Sequence, residues 1–150
     1  MQTEAQLTVA IVGAGLMGHW HAHAARKNDA IITAVIDPNA EAANALVGRY
    51  GDHAFADFER ALAQAHFDVV HICTPLKTHV SLARQALMAE KHVIVEKPVA
   101  PSRTEVSDLQ DLAASKNLLL CPVHQFAFQQ GVASVRDELA RRTSGPLAVS

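Results

Sequence analysis

Glu96-Lys97-Pro98 closes the short apolar run His92-Val93-Ile94-Val95. A lysine there stands where a parallel strand empties into a ligand crevice. The tripeptide is common by chance, and its weight comes from Gly13-Ala14-Gly15-Leu16-Met17-Gly18 far upstream. That glycine spacing follows an apolar run and opens a helical one, the context in which it reads as a dinucleotide cradle. Gly13 would serve the tight turn, Gly15 would let backbone approach a pyrophosphate, and Gly18 would let helix and strand pack closely. The helix N-terminus adds free N–H groups and positive potential for the phosphates. A glycine-rich turn holding no ligand is the plainer alternative.

Asp37 ends the second apolar run about 20 residues past the glycines, where a carboxylate can accept from an adenosine ribose 2′-hydroxyl and repel a 2′-phosphate. No arginine follows it directly, so NAD is preferred and NADP remains possible. The alternative for Asp37 is a helix N-cap before Pro38. His19, His21 and His23 suggest a metal cluster, but helical geometry divides them: His21 shares a face with Met17 and Ala24, and His19 and His23 lie on another. Two ligands with no third make a poor site, so no metal is expected and His21 reads as a packed residue near the phosphate end. Cys73 and Cys121 have no zinc-like spacing and read as two free thiols of a reducing cytoplasm.

These groups need a scaffold, and short apolar runs alternate with helical periodicity throughout. That alternation is the signature of βαβ units, so the predicted fold class is α/β, a doubly wound parallel sheet. Strands are predicted at Leu7–Val12, Ile31–Ile36, Asp68–Cys73, His92–Val95 and Leu118–Cys121, with a weak one near His53–Phe55. Most are continuously apolar, as strands covered on both faces are. Ser102-Arg103-Thr104-Glu105 is a capping box whose helix stops at Asn117. Asp57 caps another, Asp37-Pro38 opens a third that ends near Tyr50-Gly51, and Val80, Ala83, Ala86 and Leu87 form the stripe of a fourth.

The chain has 150 residues, 49% hydrophobic and 19% charged, with a net charge of -2. Such a composition folds, and it suggests neither disorder nor a nucleic-acid partner. The start carries Glu4 and neither a basic region nor a cleavage site, and no stretch approaches the roughly 20 apolar residues of a membrane span, so a cytoplasmic protein is expected. Residues 1–122 read as one dinucleotide-binding domain. Beyond them lie an irregular stretch from Val123 to Gln130, a helix carrying Val132, Val135 and Leu139, and Leu147–Ser150, which looks like a strand just begun. Residues 123–150 therefore read as a connection into a second domain.

The glycine loop with His21, Cys73-Thr74-Pro75 with His79, and Lys91-His92-Val93-Ile94-Val95-Glu96-Lys97-Pro98 together resemble the Gfo/Idh/MocA family of nicotinamide-dependent oxidoreductases. The resemblance covers nearly the whole chain. It implies a Rossmann domain and hydride transfer between nicotinamide and a secondary alcohol carbon of a sugar, inositol or related polyol. It also implies that Thr74 and Pro75 line the cofactor crevice, that Glu96 faces the nicotinamide riboside, and that Lys97 reaches the substrate hydroxyl. His79 either serves that cofactor site or hydrogen bonds locally. Pro98 is a candidate for a cis bond.

The chain departs from the family in three places. His124-Gln125-Phe126 stands where many relatives have asparagine and arginine, which leaves His124 as either a substrate-side residue or a packed loop residue. Glu90 stands where a glycine often ends the helix, at about 1 kcal/mol if the left-handed geometry is kept. Relatives also continue into a β-sheet domain that supplies substrate contacts and a dimer surface, here absent or only begun. Little turnover, cofactor binding and a possible homo-oligomer are therefore expected of the chain, and the alternative is a non-catalytic NAD-binding sensor or accessory module.

Overall fold

Val, Ile and Ala fill the interior of four of the predicted runs and leucine that of a fifth, and a computed structural model describing residues 6–141 turns them, with the weak sixth, into one sheet. Its strands are β1 (Thr8–Val12), β2 (Ile31–Ile36), β3 (Gly51–Phe55), β4 (Val69–Ile72), β5 (His92–Val95) and β6 (Leu120–Pro122). All pairings are parallel and the order is β3-β2-β1-β4-β5-β6. Order reverses between β1 and β4, because the chain winds outward first to one side of β1 and then to the other. The result is the doubly wound α/β sheet anticipated from the alternation of runs.

Alternate residues of a strand face opposite layers, and β1 divides accordingly. Val9 and Ile11 join a core closed by α1 (Leu16–Lys27) and α2 (Ala40–Tyr50), through Ala22, Ala25, Ala43 and Leu46. Ala10 and Val12 join the other core, beneath α3 (Phe58–Gln64), α4 (His79–Met88) and α5 (Arg103–Ser115), through Phe58, Ala61, Ala83, Leu87 and Leu109. The last helix, α6 (Gln130–Arg141), exposes Val132, Val135 and Leu139.

Several boundaries differ from the sequence expectation. The second helix starts at Ala40 rather than at Pro38, because the Asn39 side chain caps it by accepting from the amides of Glu41 and Ala42. Asp37 is thereby freed from N-cap duty. The last strand starts two residues late: Asn117 adopts φ 55°, and the Leu118 N–H turns back to the Ala113 carbonyl to close α5. The Asp68 amide donates to Thr8 Oγ1 and the Thr8 carbonyl, so Asp68 clamps the start of β1 and β4 pairing begins at Val69. Ser102 and Asp57 do cap their helices, and Glu90 keeps the left-handed geometry at φ 61°. The strand expected at Leu147–Ser150 lies outside the described residues.

Candidate functional site

Where the winding reverses, the loops after β1 and β4 separate and leave a cleft at the carboxyl ends of the strands. Its volume is about 700 Å³, and its walls include Gly13, Gly15, Asp37, Thr74, Pro75 and Thr78. Leu16 and Met17 complete the wall on the α1 side.

The three glycines do different work. Gly13 holds φ 98°, and a Cβ there would lie 2.9 Å from the Cys73 carbonyl oxygen. At Gly18 a Cβ would lie 2.0 Å from the Gly13 carbonyl oxygen, so helix and loop touch through backbone alone. A Cβ at Gly15 would meet nothing within 4 Å, so this backbone fronts open cleft. No side chain caps α1, unlike α2, α3 and α5, and no acidic residue occupies its first turn. The first intrahelical bond runs from the His19 amide to the Gly15 carbonyl at 3.1 Å, leaving the amides of Leu16, Met17 and Gly18 without a partner in the helix.

Asp37 braces this turn. Its Oδ2 accepts from the Ala14 amide and its Oδ1 from the Asn39 amide, each at 2.8 Å. A carboxylate has about four acceptor positions, so roughly two remain for ligand hydroxyls. Across the cleft Thr78 Oγ1 donates to the Pro75 carbonyl and lies within hydrogen-bond reach of Thr74 Oγ1, each at 2.8 Å, which fixes the loop after β4. Open backbone at Gly15, unpartnered amides and spare Asp37 lone pairs fit a dinucleotide, with its phosphates on α1 and a ribose on Asp37.

One strand further along, Glu96 is buried and Lys97 and Pro98 are exposed. The Lys97–Pro98 bond is cis. Glu96 Oε2 accepts from the Lys97 amide at 3.2 Å, and Oε1 lies 3.1 Å from His21 Nε2. His21 Nδ1 lies in turn 3.1 Å from Nδ1 of His71, in the middle of β4. Burial lowers the His71 pKa from 6.5 to about 3. Burial likewise pushes the neighbouring Cys73 thiol up, helped by the Glu96 carboxylate. A second hollow of about 620 Å³ opens beside this group, lined by Met17, Trp20, His21, His71, Glu96 and Gln125 among others.

His79 is 2% exposed and lines neither hollow. Its Nδ1 lies 2.8 Å from the Pro98 carbonyl oxygen and its Nε2 2.6 Å from that of Thr74. Both neighbours are acceptors, so both contacts are hydrogen bonds only when the ring carries two protons. The ring lies between the loop after β4 and the loop after β5. His124 is exposed just after β6, and its carbonyl accepts from the Ala127 amide at 3.0 Å. Cys73 and Cys121 are free thiols. Among the described residues no group of His, Cys, Asp and Glu could hold a metal ion, and no helix is long and apolar enough to cross a membrane.

His71 and Trp20 went unnoticed in the sequence. A histidine inside Val69-Val70-His71-Ile72 was the available signal, since a polar ring there needs a partner. Trp20 gave none.

A helix N-terminus without a side-chain cap at the switch point of a doubly wound sheet, faced by a carboxylate ending the second strand, defines a dinucleotide-binding domain of Rossmann type. The chain belongs to the Gfo/Idh/MocA family: the pattern of the oxidoreductase family with an NAD-binding Rossmann fold matches residues 7–124. D-glucoside 3-dehydrogenase of Escherichia coli K12 is 30% identical over 152 residues, which cover 99% of this chain and 43% of that enzyme. Among solved structures, GenD2 from gentamicin A biosynthesis, in complex with NAD, superposes with a TM-score of 0.88 at 26% identity, covering 95% of this chain and 41% of GenD2. The WlbA dehydrogenase of Chromobacterium violaceum, in complex with NADH and UDP-GlcNAcA, gives 0.86 at 26% identity, covering 92% of this chain and 41% of WlbA. The chain thus spans less than half the length of each.

Proposed function

We propose that the chain is the cofactor-binding part of an oxidoreductase that moves hydride between a nicotinamide dinucleotide and a secondary alcohol carbon of a sugar, inositol or related polyol. The observation that carries this is the open backbone at Gly15, on an uncapped helix and facing Asp37, with Glu96-Lys97-Pro98 two strands from the glycine turn. Carbohydrate chemistry is supported by the relatives named for D-glucoside oxidation and for a complex with UDP-GlcNAcA.

Bound nicotinamide supplies the hydride acceptor or donor. When an alcohol is oxidised, the neutral Lys97 amine would take the hydroxyl proton, the ammonium so formed would steady the negative charge gathering on oxygen, and that charge would collapse into the carbonyl as hydride leaves carbon for the nicotinamide. Reduction returns the proton by the same route. Thr74 and Pro75 line the cofactor side, Glu96 faces the nicotinamide riboside, and His124 joins on the substrate side. Cofactor binding with little turnover is the reading for this chain alone.

NAD(H) is preferred over NADP(H) because a 2′-phosphate would meet the Asp37 carboxylate. NADH is expected to bind at least several-fold more tightly than NADPH in a fluorescence titration of the 150-residue chain. Equal dissociation constants would overturn the preference, and no binding of either would overturn the proposal. Robust turnover on a polyol panel would refute the low-activity part.

A further inference from the structure

Glu96 is 6% exposed, and a carboxylate so far from water needs donors on its oxygens. Two are in place. The Lys97 amide serves Oε2, and His21 Nε2 faces Oε1. Since the carboxylate only accepts, that imidazole nitrogen carries the proton. In the neutral His21 ring the other nitrogen presents a lone pair to His71 Nδ1, and His71 then donates from Nδ1.

Donation runs from His71 to His21 to Glu96, and the second Glu96 oxygen holds the peptide from which Lys97 projects. His71 is an anchor rather than a mobile partner, because β4 pairs its backbone with Ile11 of β1 on one side and Ile94 of β5 on the other. His21 sits on the helix whose first turn meets the phosphates, about one and a half turns from that end. Helix α1 therefore carries both the phosphate cradle and the brace of the lysine loop. The far side of that loop is held separately, where His79 Nδ1 meets the Pro98 carbonyl.

Resting on the reading that Lys97 meets the substrate, we propose that His21 is a positioning residue for Lys97, acting through the Glu96 carboxylate with its tautomer set by His71. Glutamine can imitate it, offering an amide N–H to Glu96 and a carbonyl to His71, whereas leucine offers neither. The proposal concerns the Lys97 peptide, so its readouts stand apart from turnover and cofactor affinity.

Long-range proton–nitrogen NMR spectra of the ¹⁵N-labelled chain are expected to show His21 protonated at Nε2 and His71 at Nδ1. Amide hydrogen exchange at Lys97 is expected to accelerate roughly tenfold or more in His21→Leu, the factor for one hydrogen bond to a charged group, and to stay within about threefold of the parent in His21→Gln. The Glu96 amide, bonded to the Ile72 carbonyl at 3.0 Å, is the internal control and should not change. A His21 ring protonated at Nδ1 alone would overturn the proposal. So would parent-like Lys97 exchange in His21→Leu, or exchange in His21→Gln as fast as in His21→Leu. If His21→Leu fails to fold, the tautomers of the parent and the exchange in His21→Gln decide the matter. A chain that passes these tests and shows no NADH binding would refute the proposed function and leave the brace standing.

Discussion

Adding one methyl group to Gly15 or to Gly18 should produce opposite phenotypes. Gly18→Ala puts a Cβ 2.0 Å from a backbone oxygen, a full 1.0 Å inside the 3.0 Å that real Cβ atoms respect, and neither the strand-end loop nor the helix is a flexible side chain that can swing aside. Overpacking of this kind costs about 1–3 kcal/mol or more. Gly15→Ala meets no atom, and Gly15 already sits at φ -77°, a value any L-residue adopts. Its fold should therefore be unharmed, and the stiffer unfolded chain could add about 0.4–1 kcal/mol of stability. The methyl would, however, stand in the space assigned to the pyrophosphate. Loss of a single hydrogen bond to a charged phosphate, about 1.5–3 kcal/mol, weakens binding roughly 10- to 150-fold.

Urea unfolding followed by circular dichroism measures the first effect, and titration of NADH fluorescence measures the second. Gly15→Ala should unfold at or above the parent midpoint and bind NADH at least about tenfold more weakly. Gly18→Ala should unfold well below it. A Gly15→Ala chain that binds NADH like the parent would remove the phosphates from this turn. One that loses as much stability as Gly18→Ala would mean that the open space before Gly15 is filled by the protein itself.

Three further outcomes follow from the same structure. His71 takes up a proton in the unfolded chain below about pH 6.5 but in the folded one only near 3, so the stability it contributes is whole above 6.5 and drains as pH falls. Between pH 7.5 and 4.5 the loss is on the order of 2–3 kcal/mol; His71→Gln should flatten that part of the urea-midpoint curve, and an unchanged slope would refute it. Asp68, held below 3.8 chiefly by the Thr8 amide and hydroxyl, adds a loss of the same sign only at still lower pH. Glu90→Gly relieves a left-handed residue whose 3.9 Å ion pair to Lys116 is largely exposed, so it should raise stability by up to about 1 kcal/mol in thermal melts; a lowered midpoint would contradict this. Iodoacetamide should label exposed Cys121 and spare Cys73, whose thiol is pushed up by burial and by Glu96, and peptide mass mapping with equal labelling would show that the β4 end is open.

Much of this architecture was legible because its causes are local. Strands covered on both faces announce themselves as apolar runs, and Ser102 and Asp57 cap within three residues of themselves, so sequence spacing suffices. Asp37 shows where local reasoning divides. Its place after the second strand was readable, but its two nearest partners are a tight-turn amide, Asn39, and a distant one, Ala14, and the presence of Asn39 as a better cap decided that the carboxylate would turn to the glycine loop. His79 could be read as a helix residue beside the cleft, yet its two carbonyl partners belong to different loops that only the sheet brings together.

The same limit explains why Lys97 could be singled out from sequence while its support could not. A lysine at a strand end is visible because the strand is visible. His21 and Glu96 are separated by 75 residues, and His21 and His71 by 50, so no window of sequence contains either pair. What joins them is the strand order: β4 and β5 lie side by side, α1 packs over β1 and β4, and the helix face that carries Met17 and Ala24 delivers its one imidazole to a buried carboxylate. A bury-or-expose pattern cannot encode that destination. A buried acid at a strand end does pose the question, because such a group persists only where another element brings it a donor, and here the element that brings it is the one whose first turn fronts the cofactor cleft.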